Sequence, residues 1–232
     1  ERLQEMVVNY GADLGFAFDG DADRLISCDE YGNIVDGDQA MGILALHMHE
    51  KGTLAKDTLV LTVMSNLGLK NALKEAGVSI VETKVGDRYV LESMVQNNYS
   101  IGGEQSGHII LLNKNTTGDG IMSALALLGV VAETKKRLSK LAARIPQYPQ
   151  VLVNVIVENE KKADALADGE LATLTKEIED KLGKNGRVLI RASGTEPLVR
   201  IMLEGRDEAS ILDQALSLAH IIVRNYNGKI RT

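Results

Sequence analysis

Apolar and polar positions follow two different rhythms along this chain, and the switches between them mark its elements. GFAF (15–18) and LISC (25–28) are short apolar runs with DGDAD between them and the turn sequence EYGN after them. They predict strand, acidic loop, strand, tight turn, strand. The first run is apolar at nearly every position, so its strand is expected to be buried on both faces, with nothing earlier in the chain able to cover it. The opening ERLQEMVV reads as the middle or end of a helix. From Asp38 the period lengthens: DGDQAMGILALHMHEKG has apolar residues at helical spacing and Asp in its first turn. TLVLTVM (58–64) is a strand, LKNALKEAG a short helix with Gly at its end, VSIVET a strand and GDRYVLESMVQN a helix. IGGEQSGHIILL reads as strand, loop, strand, and GDGIMSALALLGVVAETKK as a long helix.

ARIPQYPQ (143–150) holds two of the three prolines and is expected to be a linker. After it, VLVNVIVEN has Val at every second position from 151 to 157, a strand period. ELATLTKEIEDKLG is an amphipathic helix, RVLIRASGTEPLVRIMLEG two strands around a polar loop, and DEASILDQALSLAHIIVRNY a closing amphipathic helix. The alternation of strand and helix predicts a three-layer α/β domain with a mostly parallel sheet, followed by a smaller α+β domain. The N-terminal stretch reads as the end of a preceding α/β domain.

Composition narrows this further. Of 232 residues 44% are apolar but only 3% aromatic, so the cores must be aliphatic. The net charge of −6 makes a general nucleic-acid binder a poor fit. One cysteine, Cys28, excludes an internal disulfide and suits a reducing compartment, hence the cytoplasm. No apolar run reaches the roughly 18 residues that span a membrane, and no signal peptide is visible. The chain starts with Glu, which together with the helix-like opening suggests a fragment.

Three loops carry chemistry. In DGDADR, Asp19, Asp21 and Asp23 alternate, and a bent loop lets their carboxylates converge. Hard oxygens select Mg²⁺, Ca²⁺ or Mn²⁺ over Zn²⁺, and Arg24 beside them suits a phosphate. An EF-hand loop counted from Asp19 would place Ile26 and Glu30 correctly, but Arg24 stands where the sharp turn requires Gly. A phosphorylated Asp19 nucleophile and a solvated acidic turn are further readings. In GGEQSGH (102–108), Glu104, Ser106 and His108 alternate between strands. A carboxylate and a hydroxyl suit sugar hydroxyls or an amino group, and an imidazole can act as acid or base; a plain hairpin is the alternative. In RASGTEP (191–197), Arg191 offers a planar fork, Ser193 and Thr195 hydroxyls, and Gly194 a backbone nest, with Arg200 on the next strand. Between 183 and 206 five basic residues (Lys184, Arg187, Arg191, Arg200, Arg206) face two acidic ones (Glu196, Glu204), which suggests a phosphate clamp; a solvated turn before Pro197 is the alternative. VGDRYV (85–90) opens a helix, where Arg88 could touch substrate and Asp87 could be a cap. His47, His49 and His220 show no metal spacing and are expected on helix surfaces.

In this order DGDADR, GEQSGH and RASGTEP resemble the α-D-phosphohexomutase family, along essentially the whole chain. GGEQSGH, VGDRYV and TTGDGI look most like its bacterial members acting on glucosamine phosphates; members acting on mannose or glucose phosphates, and a non-catalytic sugar-phosphate or protein binding module, are the alternatives. The resemblance implies four domains around a cleft, a phosphoserine that donates its phosphoryl group, and a bisphosphorylated intermediate that turns around. It implies Mg²⁺ on Asp19, Asp21 and Asp23, Arg24 near the phosphoserine, Glu104 and Ser106 as sugar readers and His108 as a proton-transfer participant. Arg191, Ser193, Gly194, Thr195 and Arg200 would hold the distal phosphate, and Arg88 would lie near the substrate. The implied division is 1–37 as the end of the metal-loop domain, 38–145 as the sugar-binding domain and 146–232 as the phosphate-binding domain. A hexosamine phosphate is the implied partner, and a homodimer the candidate assembly of the full-length chain. No serine here lies in the family's nucleophile loop, so this chain alone is expected to be inactive.

Overall fold

A computed structural model describes residues 1–231 and divides the chain into two compact units, Glu1–Gln147 and Tyr148–Thr232. The first unit opens with α1 (Arg2–Tyr10), which ends where Gly11 adopts a left-handed φ of 61°. An antiparallel sheet follows, built in chain order from β1 (Leu14–Phe18), β2 (Leu25–Asp29) and β3 (Ile34–Val35). Its second turn is tied by Asp29, whose Oδ1 accepts from the backbone N–H groups of Tyr31 and Asn33 at 2.9 Å each. Two expectations fail at β1. The strand is only half-buried, with Phe18 exposed, and α1, which precedes it, covers one face. Val7 and Leu3 press so closely that a Cβ on Gly15 would lie 2.5 Å from the Val7 methyl. An edge strand with one covered face is as apolar in sequence as a central one.

α2 (Gly37–Glu50) begins one residue earlier than its period suggests, because Asp36 caps it by accepting from Gln39 N–H at 3.0 Å. Its residues from Gly37 to Leu46 are buried except Gln39, so it is a central helix. Next come β4 (Thr58–Thr62), α3 (Leu67–Glu75), β5 (Ser79–Thr83), α4 (Asp87–Asn97), β6 (Ile101–Gly103), β7 (Ile109–Leu111), α5 (Gly120–Thr134) and α6 (Leu138–Ala142). The sheet order is β5-β4-β6-β7, parallel except for the antiparallel β6–β7 pair. Alternate side chains of β4 point to opposite layers. Leu59 and Leu61 join a core with α2, α3, α5 and α6, whereas Val60 packs with Val90 and Met94 of α4. Helices on both faces of a mostly parallel sheet make three layers, as the sequence predicts. Each fully buried Leu or Val contributes about 1.5–3 kcal/mol relative to exposure.

The second unit consists of β8 (Gln150–Ile156), α7 (Lys162–Leu166), α8 (Gly169–Leu182), β9 (Arg187–Ala192), β10 (Leu198–Glu204), α9 (Glu208–Tyr226) and β11 (Lys229–Arg231). Its sheet, in the order β11-β8-β10-β9, is antiparallel throughout. One face presents Val153, Val155, Val199, Ile201 and Leu203 to Leu171, Ile178, Ile211, Ala215, Leu218 and Ile222 of α8 and α9. On the other face the register aligns Arg231, Asn154, Arg200 and Arg191 in one row across the four strands. The sequence pattern gives no sign of α7 or β11, which are too short to show a period.

Candidate functional site

The acidic loop joins β1 to β2 and bends sharply at Ala22, whose φ is +60°. One carboxylate oxygen from each of Asp19, Asp21 and Asp23 lies within 4.8 Å of the others. Two unit charges at about 4 Å repel by about 1 kcal/mol in water and about 4 at an effective dielectric of 20. Local positive charge offsets this only in part. Asp19 Oδ1 accepts from Arg24 N–H at 3.2 Å, and Arg24 Nε stands 3.6 Å from Asp19 Oδ2 and 3.7 Å from Asp23 Oδ1. Asp23 Oδ1 is buried and has no hydrogen-bond partner. An orphaned carboxylate oxygen beside two more carboxylates fits a hard divalent cation and not a solvated acidic turn. The EF-hand reading fails. The flanks are strands, and Glu30 is turned to α6, where it accepts from Ser139 Oγ at 2.6 Å.

The GEQSGH loop is the β6–β7 hairpin, and the backbone stitches it to its neighbours. Leu25 N–H donates to Gly107 O at 3.0 Å and Gly37 N–H to Gln105 O at 3.1 Å, while Gly120 at the start of α5 donates its N–H to Ala22 O of the acidic loop at 2.9 Å. Close approach demands glycine: a Cβ on Gly107 would fall 2.1 Å from Leu25 O, and its φ is +95°. Glu104 is half-buried and accepts from Gly86 N–H at 2.9 Å, which ties it to the turn before α4. Ser106 is exposed, with no partner for its hydroxyl among the described residues. Asp36, the cap of α2, also accepts from Gln147 Nε2 at 2.8 Å, and its carboxyl is pushed above the usual range chiefly by burial.

His108 of this hairpin is buried. Its ring is 5% exposed, with Nδ1 3.1 Å from Asp23 Oδ2 and Nε2 accepting from Gly118 N–H at 3.1 Å. Both ring nitrogens are engaged by the protein. Arg88 is exposed in the first turn of α4 and has no partner among the described residues. The cap there is Gly86, not Asp87. Gly86 and Gly118 are site residues that the sequence reading did not single out; the available signal was a glycine between a strand and a helix start.

In the second unit the RASGTEP loop joins β9 to β10. Ser193 is buried, and its Oγ accepts from Glu196 N–H at 3.2 Å. Lys162 of α7, absent from the sequence reading, donates to the carbonyls of Ser193 at 2.8 Å and Glu196 at 3.1 Å. With those carbonyls occupied, the N–H groups of Gly194 and Thr195 have no acceptor among the described residues. A Cβ on Gly194 would meet nothing within 4 Å, so the fold itself does not demand glycine there and the space stands open. Arg191 lies directly across from Arg200. Burial, and then the Arg200 charge, lower its pKa. Arg200 Nε is buried without a partner, while its Nη2 holds Glu196 at 2.7 Å. Glu196 also accepts from Arg231 of β11 at 2.9 Å. Free amide donors beside two partly buried guanidiniums form an anion cradle. The local basic surplus is smaller than the count suggests: Arg187 pairs with buried Glu204, and Arg206 lies over the Tyr148 ring at 5.9 Å.

Comparison with known proteins accounts for this combination. Residues 36–148 match the family model described as phosphoglucomutase/phosphomannomutase, alpha/beta/alpha domain III, and residues 152–221 match the C-terminal domain of the same family. The chain is 55% identical over 227 residues to the phosphoglucosamine mutase of Caldanaerobacter subterraneus subsp. tengcongensis, covering 98% of this chain and 51% of that protein. It is 54% identical over 222 residues to the phosphoglucosamine mutase of Clostridioides difficile, covering 96% and 50%. It thus spans about half the length of the curated relatives it matches. A phosphoglucomutase/phosphomannomutase family protein from Burkholderia thailandensis shares the fold with a TM-score of 0.78 at 22% identity, over 98% of this chain and 51% of that one. So does Aspergillus fumigatus N-acetylphosphoglucosamine mutase, solved in complex with GlcNAc-6P and magnesium, with a TM-score of 0.73 at 21% identity, over 90% and 52%. The chain therefore belongs to the phosphoglucomutase/phosphomannomutase family of α-D-phosphohexomutases.

Proposed function

We propose that this chain forms the metal-, sugar- and phosphate-holding half of a phosphoglucosamine mutase that interconverts glucosamine 6-phosphate and glucosamine 1-phosphate. Residues 1–37 are taken as the end of the metal-loop domain, 38–145 as the sugar-binding domain and 146–232 as the phosphate-binding domain. The observation that carries the reading is the convergence of Asp19, Asp21 and Asp23, one oxygen orphaned, against the hairpin that bears Glu104 and Ser106. Substrate choice rests on the 55% identity to phosphoglucosamine mutases.

Asp19, Asp21 and Asp23 would hold Mg²⁺, which neutralises charge on a transferring phosphoryl group when bound. Arg24, its side chain half exposed at 51%, adds a fixed positive charge beside the same group. Glu104 and Ser106 accept from and donate to the sugar, and Arg88 lies near the substrate at the α4 terminus. Arg191, Arg200, Ser193, Thr195 and the amide of Gly194 grip a substrate phosphate and orient the sugar. The phosphoserine that gives and takes back the phosphoryl group would come from a segment outside these residues, so the chain alone is inactive. The site of action is the cytoplasm; no helix of the described residues is long and apolar enough to cross a membrane.

A chimera tests this. The N-terminal half of the Clostridioides difficile enzyme, joined to this chain, is expected to convert glucosamine 6-phosphate, and Glu104→Gln or Arg191→Ala to lower kcat/KM by at least about 100-fold, while the chain alone gives no product. Preference of the active chimera for mannose or glucose phosphates would instead favour a phosphomannomutase or phosphoglucomutase; no activity on any hexose phosphate would sink the proposal.

A further inference from the structure

The ammonium of Lys162, at the first position of α7, has no carboxylate partner among the described residues. It is held instead by two backbone carbonyls of the RASGTEP loop, Ser193 O at 2.8 Å and Glu196 O at 3.1 Å. These carbonyls bracket the segment whose Gly194 and Thr195 amides have no acceptor among the described residues. The bracket fixes a direction. Ser193 C=O and Gly194 N–H belong to one planar trans peptide, so they point opposite ways. With the carbonyl held against the ammonium, the amide is turned away from Lys162. Glu196 C=O precedes Pro197, which has no N–H to aim, so the second contact anchors the far end of the loop. The other bonds of the loop run from Ser193 N–H to Leu198 O and from Leu198 N–H to Glu196 O, at 2.8 Å each, and from Glu196 N–H to Ser193 Oγ at 3.2 Å. None of these engages the peptide between Ser193 and Gly194; among the described residues Lys162 alone does.

We infer that Lys162 is a positioning residue that aims the Gly194 and Thr195 amides at an incoming phosphate. This rests on the reading of the RASGTEP loop as a phosphate cradle. Backbone amides hold an oxyanion well when they are fixed in advance; otherwise the anion must order the loop, and affinity falls by that cost. The loop needs such fixing, because glycine loses more conformational freedom on ordering than any other residue and the space around Gly194 is open. Lysine suits the task. Its ammonium has three donors and no acceptor, so it satisfies two carbonyls at once. A carboxylate partner would have cancelled its charge, whereas carbonyls leave that charge in place beside the anion. Arg191 and Arg200 supply guanidinium donors to the same cradle; Lys162 shapes the backbone between them.

Two replacements test this. Lys162→Met keeps the apolar stem and removes the donors, whereas Lys162→Arg keeps donors and charge. The probe is glucosamine 6-phosphate titrated into this chain, followed by the Gly194 and Thr195 amide signals in ¹H–¹⁵N spectra. Both signals are expected to move in wild type. Lys162→Met is expected to weaken binding by roughly 10-fold or more, and Lys162→Arg to stay within about threefold of wild type. Before ligand is added, ¹⁵N relaxation is expected to give lower order parameters at Gly194 and Thr195 in Lys162→Met than in wild type, with those of α9 unchanged. That comparison separates aim from charge, because a lysine acting by attraction alone leaves the free loop as rigid as before. Unchanged affinity in Lys162→Met, weakened affinity with unchanged order parameters, or equal losses for Met and Arg would overturn the inference. Loss of order in α9 as well would make Lys162 a support of the whole unit and overturn it too. A wild-type chain in which neither signal moves would overturn the phosphate reading of the loop, and the inference with it, whereas equal binding by wild type and Lys162→Met removes only the role of Lys162.

Discussion

Glu196 shows how one residue can prepare a site by occupying it. It stands in the anion loop and accepts hydrogen bonds from both Arg200 and Arg231, from different strands. The Arg231 hydrogen bond, and then that from Arg200, hold its carboxyl below the usual range. A depressed carboxyl pKa means that the pairing stabilises the fold above the ordinary value of 4.5 and that this share is lost as pH falls through the folded value. Arg231→Ala is therefore expected to raise the Glu196 pKa towards its ordinary value, followed by carboxyl ¹³C NMR, and to make the second unit less sensitive to acid. An unchanged titration would show that the contact carries no charge coupling. Individual residue types were legible in the sequence at this scale: the acidic triad, Glu104, Ser106 and Arg191 all stand out by type and spacing. What each one touches was not. His108 sits between Asp23 and the backbone amide of Gly118, and no spacing rule connects residue 108 to residue 23.

At the scale of elements, the site is held by close backbone approach. Gly107 lets the hairpin lie against β2, with Leu25 O where a side chain would begin. Gly107→Ala combines a left-handed φ with that clash, and is expected to cost about 3 kcal/mol. Thermal unfolding of the first unit should fall by several degrees and Mn²⁺ uptake should weaken with it; a variant that melts like wild type would contradict this packing. Long elements with a clear period were legible: α2, α5, α8 and α9 are where their apolar spacing places them. Short ones were not. β11 has three residues and α7 five, and both exist through their partners, β8 on one side and the sheet edge on the other. The burial of β1 was misread because a strand's sequence shows its apolar content, not whether another strand follows at its edge.

At the scale of the molecule, each unit has its own core, and the chemistry is divided between them. The acidic triad and the GEQSGH hairpin belong to the first and the RASGTEP loop to the second. Leu203, fully buried in the second core, is a probe of that division. Leu203→Ala is expected to destabilise the second unit by about 2–5 kcal/mol and to leave Mn²⁺ binding by the first unit unchanged in calorimetry and resonance titrations. Loss of Mn²⁺ binding would show that the two cores do not act separately. The three-layer α/β organisation and the following α+β module were legible because the period changes from two to 3.6 residues repeatedly before the proline-rich stretch and in a different order after it.

The account stands or falls on whether these loops serve a phosphorylated amino sugar. Isothermal titration of this chain with glucosamine 6-phosphate in the presence of Mg²⁺ tests it most directly. The account predicts binding heat that Arg191→Ala removes. No heat with the wild-type chain, or the same heat after the substitution, would contradict it.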